Sequence, residues 1–233
     1  MKRSISLFLA VLGVACPLLP ALASDASIPA HGQKTLTWVG CGITKKAFMK
    51  DLAAAWERKT GIHIDIQGGG ATRGIRDVAA GKADIGGSCR YKLEDNPAEI
   101  EARMQPVAWD ALVVITHKDN PVDSITLKQL RAVFLGQISN WKELGGDDAP
   151  IEVYARRSKI SGVGHALRKL VFANYEQEFA ANELFKSSGP LEKRLESDAG
   201  RHGIGVTGIS SARKRDVKIL ALNGIEPTPE NIR

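Results

Sequence analysis

"IHIDIQGGGATRGIRDVAAGKADIGGSCR", residues 62–90, decides the fold. "IHIDIQ" alternates apolar and polar residues, the period of a strand. It runs into the glycine turn "GGGATRG" (68–74), and "IRDVAAG" reads as a short helix. "ADIGGSCR" closes the unit as a strand and a turn. Strand, turn, helix, strand is the repeating unit of a parallel sheet covered by helices. The preceding stretch adds another copy. "TLTWVGC" has strand character, and "TKKAFMKDLAAAWERKTG" carries Phe48, Leu52, Ala55 and Trp56 at helical spacing, with Thr44 as expected N-cap and Gly61 as stop. The first third therefore reads β-α-β-α-β, and Trp38 and Trp56 are expected in its core.

Downstream, "VAWDALVVITH" (107–117) is a long strand too apolar for an edge facing water. "DNPVDS" is a turn cluster, and the turn at 118–124 is the best candidate for a crossing between two lobes. "TLKQLRAVFLG" is a helix capped by Thr126, and Trp141 pins the loop "ISNWKELGG". "IEVYARR", "HGIGVTGI" and "VKILALN" are further strands. "SARKRD" (211–216) reads as a solvated helix end. No internal repeat or low-complexity linker interrupts the chain.

The N-terminus is different. Met1-Lys2-Arg3 precedes the apolar run "SISLFLAVLGVACPLLP", and "ALA" at 21–23 offers a small-residue cleavage site. This is the pattern of a secretory signal peptide, residues 1–23. Prolines and a short apolar run argue against a membrane anchor, and Gly13 argues against a lipobox at Cys16. The remaining 210 residues carry +4 rather than the +6 of the full 233. That mild basicity suits a small anionic ligand. No lysine/arginine run with interleaved aromatics suggests nucleic acid.

Three strands end in small-residue turns that lead toward helices: "GCGIT" (40–44), "GGGATRG" (68–74) and "RRSKISGVG" (156–164). "GGSCR" (86–90) is a fourth turn of this kind. Ligands of open α/β sheets sit outside the carboxyl ends of strands. Helix starts there present unpaired N–H groups and a positive dipole end to an anion. Thr44, Thr72, Ser88 and Ser161 add hydroxyls, and Arg157 supplies a planar cation suited to an oxyanion. The glycines do not follow the dinucleotide fingerprint, and no G-K-[ST] phosphate loop occurs. The ligand expected is a small anion, with no cofactor and no metal.

With these stretches in place, the chain resembles the substrate-binding proteins of ABC phosphate importers. The resemblance rests on "GCGITKKAF", "GGGATRGIRDVAAGKADIGGSCR", "VAWDALVVITHKDNPVDSITLKQLRAVFLGQISNWKELGG", "RRSKISGVG" and "HGIGVTGISSARKRDVKILALNGIEPTPENI". It implies a two-lobed, type II periplasmic-binding-protein fold of the α/β class with the ligand cleft between lobes. Lobe one would be 34–117 plus 207–233, and lobe two 118–206. It implies a periplasmic monomer, not an enzyme, that captures inorganic phosphate or a related oxyanion by hinge closure for an ABC permease in the inner membrane. Carried over by position, the binding groups are Thr44 and Lys45, Ala71 with Thr72, Ser88 and Cys89, Arg157, and Ser161, Gly162 and Val163.

Three of these positions depart from the family pattern. Ala71 stands where a serine is usual, Val163 where a threonine is usual, and Cys89 where an aspartate or serine is usual. A carboxylate at that last position would accept a hydrogen bond from protonated phosphate and repel sulfate, so without it selectivity is expected to be relaxed. Family members usually continue past "PENIR", so a truncated or divergent C-terminus is expected. The resemblance also brings Cys41 and Cys89 to one cleft, where a disulfide is the candidate pairing, with two loop thiols as the alternative. His63 and His165 have no zinc-ligand spacing. Trp109 is expected near the crossing. A sensor or scavenger without a transport role shares the pattern. Ser161 and His165, four apart, raise a hydrolase reading, but no G-x-S-x-G elbow accompanies them.

Overall fold

A computed structural model describes residues 35–232. The expected signal peptide and Cys16 lie outside the described residues. Two sheets organise the rest.

The first sheet is parallel, in the order β2-β1-β3, from β1 (Leu36–Gly40), β2 (Ile64–Gly68) and β3 (Ile85–Gly87). Its register pairs Gly40 with both Gly68 and Gly87. The three strands thus end level at a row of glycines, and all three turns leave from one edge. After β1, α1 (Gly42–Thr44) passes through a π-helical turn (Lys45–Met49) into α2 (Lys50–Thr60), which Gly61 ends with φ 72°. The N-cap is Cys41, not Thr44, which lies inside the helix. α3 (Gly70–Ala79) follows β2.

The stripe expected on this first helix is not the buried one. Leu52, Ala55 and Trp56 are exposed, whereas Met49 and Ala53 pack with Trp38 and Ile64. The π turn accounts for the offset. Its wider i→i+5 turn inserts one extra residue, which moves the core-facing set from 48 and 52 to 49 and 53. Trp38 is buried as expected; Trp56 is not.

The second sheet has six strands in the order β5-β9-β4-β8-β6-β7. They are β4 (Leu112–His117), β5 (Ser124–Ile125), β6 (Glu152–Arg156), β7 (Glu183–Phe185), β8 (Gly203–Gly208) and β9 (Val217–Leu222). β4 runs antiparallel to β8 and β9, while β6 is parallel to β7 and β8. Alternation along β4 serves two cores. Val114 joins α4 (Leu127–Phe134) and α5 (Gly162–Leu167) on one face; Val113 and Ile115 join α6 (Ser188–Glu196) and α7 (Ile209–Ala212) on the other. Each fully buried Leu or Ile, such as Leu130 or Ile204, contributes about 1.5–3 kcal/mol.

Two boundaries differ from expectation. Residues 112–117 and 217–222, grouped by the sequence with the first lobe, hydrogen-bond into the six-stranded sheet, because the β4–β8 ladder runs from Leu112↔Gly208 to Thr116↔Ile204. Residues 107–111 lie outside that strand, and Trp109 is exposed. The Thr126 cap of α4 is a full capping box with Gln129. Trp141 is buried and donates its ring N–H to the His202 carbonyl at 2.9 Å. The basic end of α7 is only partly solvated, since Arg215 pairs with Glu192 and Glu196. Among the described residues, no helix is long and apolar enough to cross a membrane.

Candidate functional site

The glycine edge of the first sheet meets the start of α5. Gly69 (φ 147°) and Gly70 (φ 86°) take conformations closed to most residues, and so turn β2 directly into α3. Ala71 therefore sits buried at the helix start. β6 ends at Arg156, and Ser161 caps α5, its Oγ accepting from the Gly164 N–H at 3.1 Å. Gly162 is where the turns converge. A Cβ there would lie 2.2 Å from Cys89 Sγ and 3.3 Å from Ala71 Cβ. Only a hydrogen fits between β3's turn, α3's start and α5's start.

Most of the residues expected at the site are brought together here. Cys41, Ala71 and Val163 share one apolar cluster, with Cys89 packed against it. Thr72 Oγ1 donates to the Ile160 carbonyl at 2.9 Å, crossing to the α5 turn. Ser88 turns instead toward its own loop, donating to the Arg90 carbonyl at 2.7 Å. Lys45 Nζ reaches the Ile66 carbonyl at 2.9 Å. Thr44 is half-buried in the helix. Arg157 is exposed. Its N–H donates to the Phe185 carbonyl, and among the described residues its guanidinium has no hydrogen-bond partner.

Two arginines not singled out from the sequence do more of the local bonding. Arg156 is buried and donates to the Phe185 and Lys186 carbonyls and to Ser188 Oγ. Strand parity was the available signal: Arg156 is two residues from Tyr154, whose side of β6 faces α6. Arg90 is buried against Glu99 and also donates to the Ile160 carbonyl at 2.8 Å and to Thr72 Oγ1 at 3.2 Å. Its signal was Glu99, nine residues along.

The electrostatics centre on the two thiols, whose Sγ atoms lie 2.9 Å apart with no bond between them. The Cys89 hydrogen bond pulls the Cys41 thiol down to about 7 against the opposing effect of burial, helped by the Ile43 and Thr44 N–H groups and the Arg156 charge. The same contact, with burial, pushes Cys89 well up. Burial pushes Arg156 down, and the two sulfurs oppose that. The Ser161 hydroxyl is engaged by backbone, donating to the Ser158 carbonyl at 2.9 Å, while the His165 ring stacks on Tyr175 with centroids 4.7 Å apart. The serine–histidine spacing thus places the ring on an aromatic neighbour.

The PBP superfamily domain matches residues 28–230. The phosphate-binding protein PstS of Bacillus subtilis is 29% identical over 78% of this chain and 60% of its own length. PstS of Pseudomonas aeruginosa is 29% identical over 69% of this chain and 54% of its own. The chain thus spans between half and two-thirds of these relatives. Among solved structures, a phosphate ABC transporter substrate-binding protein with bound phosphate from Clostridium perfringens superposes with TM-score 0.75 at 30% identity, covering 85% of this chain and 80% of that one. An ABC-type phosphate transport receptor from Vibrio cholerae gives TM-score 0.60 at 26% identity over 85% and 81%.

Proposed function

The chain belongs to the PBP superfamily, and on that premise we propose that it is an exported substrate-binding protein that closes around phosphate or a related oxyanion and presents it to an ABC permease. The observation that carries this reading is the meeting of Cys89, Ala71 and Gly162 at one point. Two helix starts, those of α3 and α5, and the turn after β3 converge there from two sheets, an arrangement that aims N–H donors at an anion. In this reading Thr44, Lys45, Thr72, Ser161 and Val163 supply hydroxyl or backbone groups to the anion. The exposed Arg157 is the cation available to the ligand, since Arg156 is committed to β7 and α6. The relatives named for phosphate support the ligand class, and the N-terminal leader pattern supports export to the periplasm.

The lobes in this reading are the first sheet with its helices and the second sheet with its own, joined through the 91–111 segment. Closure follows from differential affinity: an anion that contacts both sides stabilises only the closed state. The protein acts as a monomer that binds and releases without chemistry.

Thermal unfolding with phosphate, arsenate, sulfate or molybdate tests the reading. A ligand at about a hundred times its Kd adds about 2.7 kcal/mol of stability. Phosphate and arsenate are expected to raise Tm. Because Cys89 replaces a proton-reading carboxylate, sulfate is expected to do so too. No shift with any oxyanion would refute the proposal.

A further inference from the structure

Cys41 and Cys89 stand at the ends of neighbouring parallel strands. Gly40 is in register with Gly87, and the Cys41 N–H donates to the Gly87 carbonyl at 2.8 Å. Backbone pairing therefore fixes the two sulfurs at 2.9 Å. Cys41 is buried and Cys89 half-buried. Cys89 Sγ is also the atom that packs on Gly162, the start of the opposing helix. Among the described residues, no third His, Cys, Asp or Glu joins the pair to make a metal site.

We propose that Cys41 and Cys89 form a reversible dithiol–disulfide couple at the junction of the three turns, and that its oxidation state sets the affinity for the anion. The couple stands on the geometry alone; the effect on affinity rests on the oxyanion-binding reading above. The oxidant is a small-molecule disulfide. The Cys41 thiolate attacks one of its sulfurs, that S–S bond breaks, and one small thiolate leaves. The Cys89 thiolate then attacks the Cys41 sulfur and expels the second. The two protein thiols lose two protons and two electrons, and the small disulfide becomes two thiols. Hinge opening uncovers Cys41 for the first step.

The consequence is electrostatic. Above about pH 7 the Cys41 thiol of the reduced pair ionises, and its charge is stabilised by the Cys89 thiol 2.9 Å away and by the Arg156 cation. That charge repels an oxyanion and competes for positive potential. The disulfide is neutral, so oxidation strengthens anion binding.

The test equilibrates the full chain in glutathione buffers of defined thiol-to-disulfide ratio. Non-reducing peptide mapping by mass spectrometry then reads the Cys41–Cys89 cross-link, and calorimetry reads phosphate affinity in each state. The cross-link is expected to appear and disappear with the ratio, and phosphate to bind roughly tenfold more tightly to the oxidised form. Cys41→Ser should lose both the cross-link and the redox dependence. Absence of the cross-link in oxidising buffer overturns the couple. Equal affinity in both states overturns the coupling. If neither state binds phosphate while the cross-link still responds, the oxyanion reading and the coupling fall together and the couple stands.

Discussion

Arg90 and Glu99 face each other as a buried, two-pronged ion pair, Nη1 to Oε2 at 2.8 Å and Nη2 to Oε1 at 2.9 Å. The same guanidinium reaches the Ile160 carbonyl in the α5 turn, beside the Thr72 hydroxyl. One carbonyl on the second side of the junction is thus gripped by two donors from the first. Arg76 and the Leu93 N–H add to Glu99's partners. Burial alone would raise the Glu99 carboxyl, but Arg90 and these groups hold it below the usual range. Removing one partner leaves a buried charge uncompensated, so Glu99→Ala should cost about 3–5 kcal/mol in urea unfolding. A loss under about 1 kcal/mol, the scale of a surface pair, would contradict this account.

The two neighbouring arginines should separate cleanly. Arg156→Ala removes buried bonds to Phe185, Lys186 and Ser188 and should destabilise by about 2–3 kcal/mol. Arg157→Ala removes an exposed side chain and should leave stability within about 0.5 kcal/mol, while weakening phosphate binding at least about tenfold. Urea unfolding and calorimetry on both variants check the contrast. Unchanged phosphate affinity in Arg157→Ala would remove that residue from the site.

The thiols give the reduced protein a distinctive pH profile. Cys41 is held near 7 in the fold against an ordinary 9. A depressed acid contributes stability that is full above its unfolded value and lost as pH falls through its folded value, so stability should rise between pH 7 and 9 by on the order of 2 kcal/mol. Cys89 is raised, which reverses the sign above 9. Melting of reduced protein from pH 6 to 10, minus the same series for Cys41→Ser, should therefore peak near 9. A flat difference would contradict the pairing of these sulfurs.

Selectivity is testable by substitution at Cys89. Cys89→Asp places a carboxylate at the junction, where it accepts from protonated phosphate and repels fully ionised sulfate. The ratio of sulfate to phosphate Kd should rise at least about tenfold over that of the native protein. An unchanged ratio would mean that Cys89 does not face the ligand.

Much of the architecture was legible because it is written in local periods and turn chemistry. The alternation of residues 62–67, the glycines at 68–70 and the Thr126 cap each predict what forms there. The helix face of residues 42–60 was not legible, since a π turn leaves no signature in apolar spacing and shifts the buried side by one residue. Strand partners were not legible either. The exchange of β4 and β9 into the larger sheet depends on pairing across roughly ninety residues, which no local pattern encodes. At the site, hydroxyls and glycines announce themselves in sequence. Buried Arg90 and Arg156 offer only weak local signals, strand parity and a nearby Glu99, because their decisive partners Ile160 and Ser188 are brought to them by the fold.

The proposed oxyanion site lies where Cys89, Ala71 and Gly162 converge. Calorimetric titration of phosphate into the native protein and into Gly162→Leu tests it most directly. The leucine would occupy the space taken by Cys89 Sγ and block the junction from closing. Saturable one-to-one binding is expected for the native protein and none measurable for the variant, with the variant's far-ultraviolet spectrum unchanged. Phosphate binding of equal affinity in both proteins would contradict it.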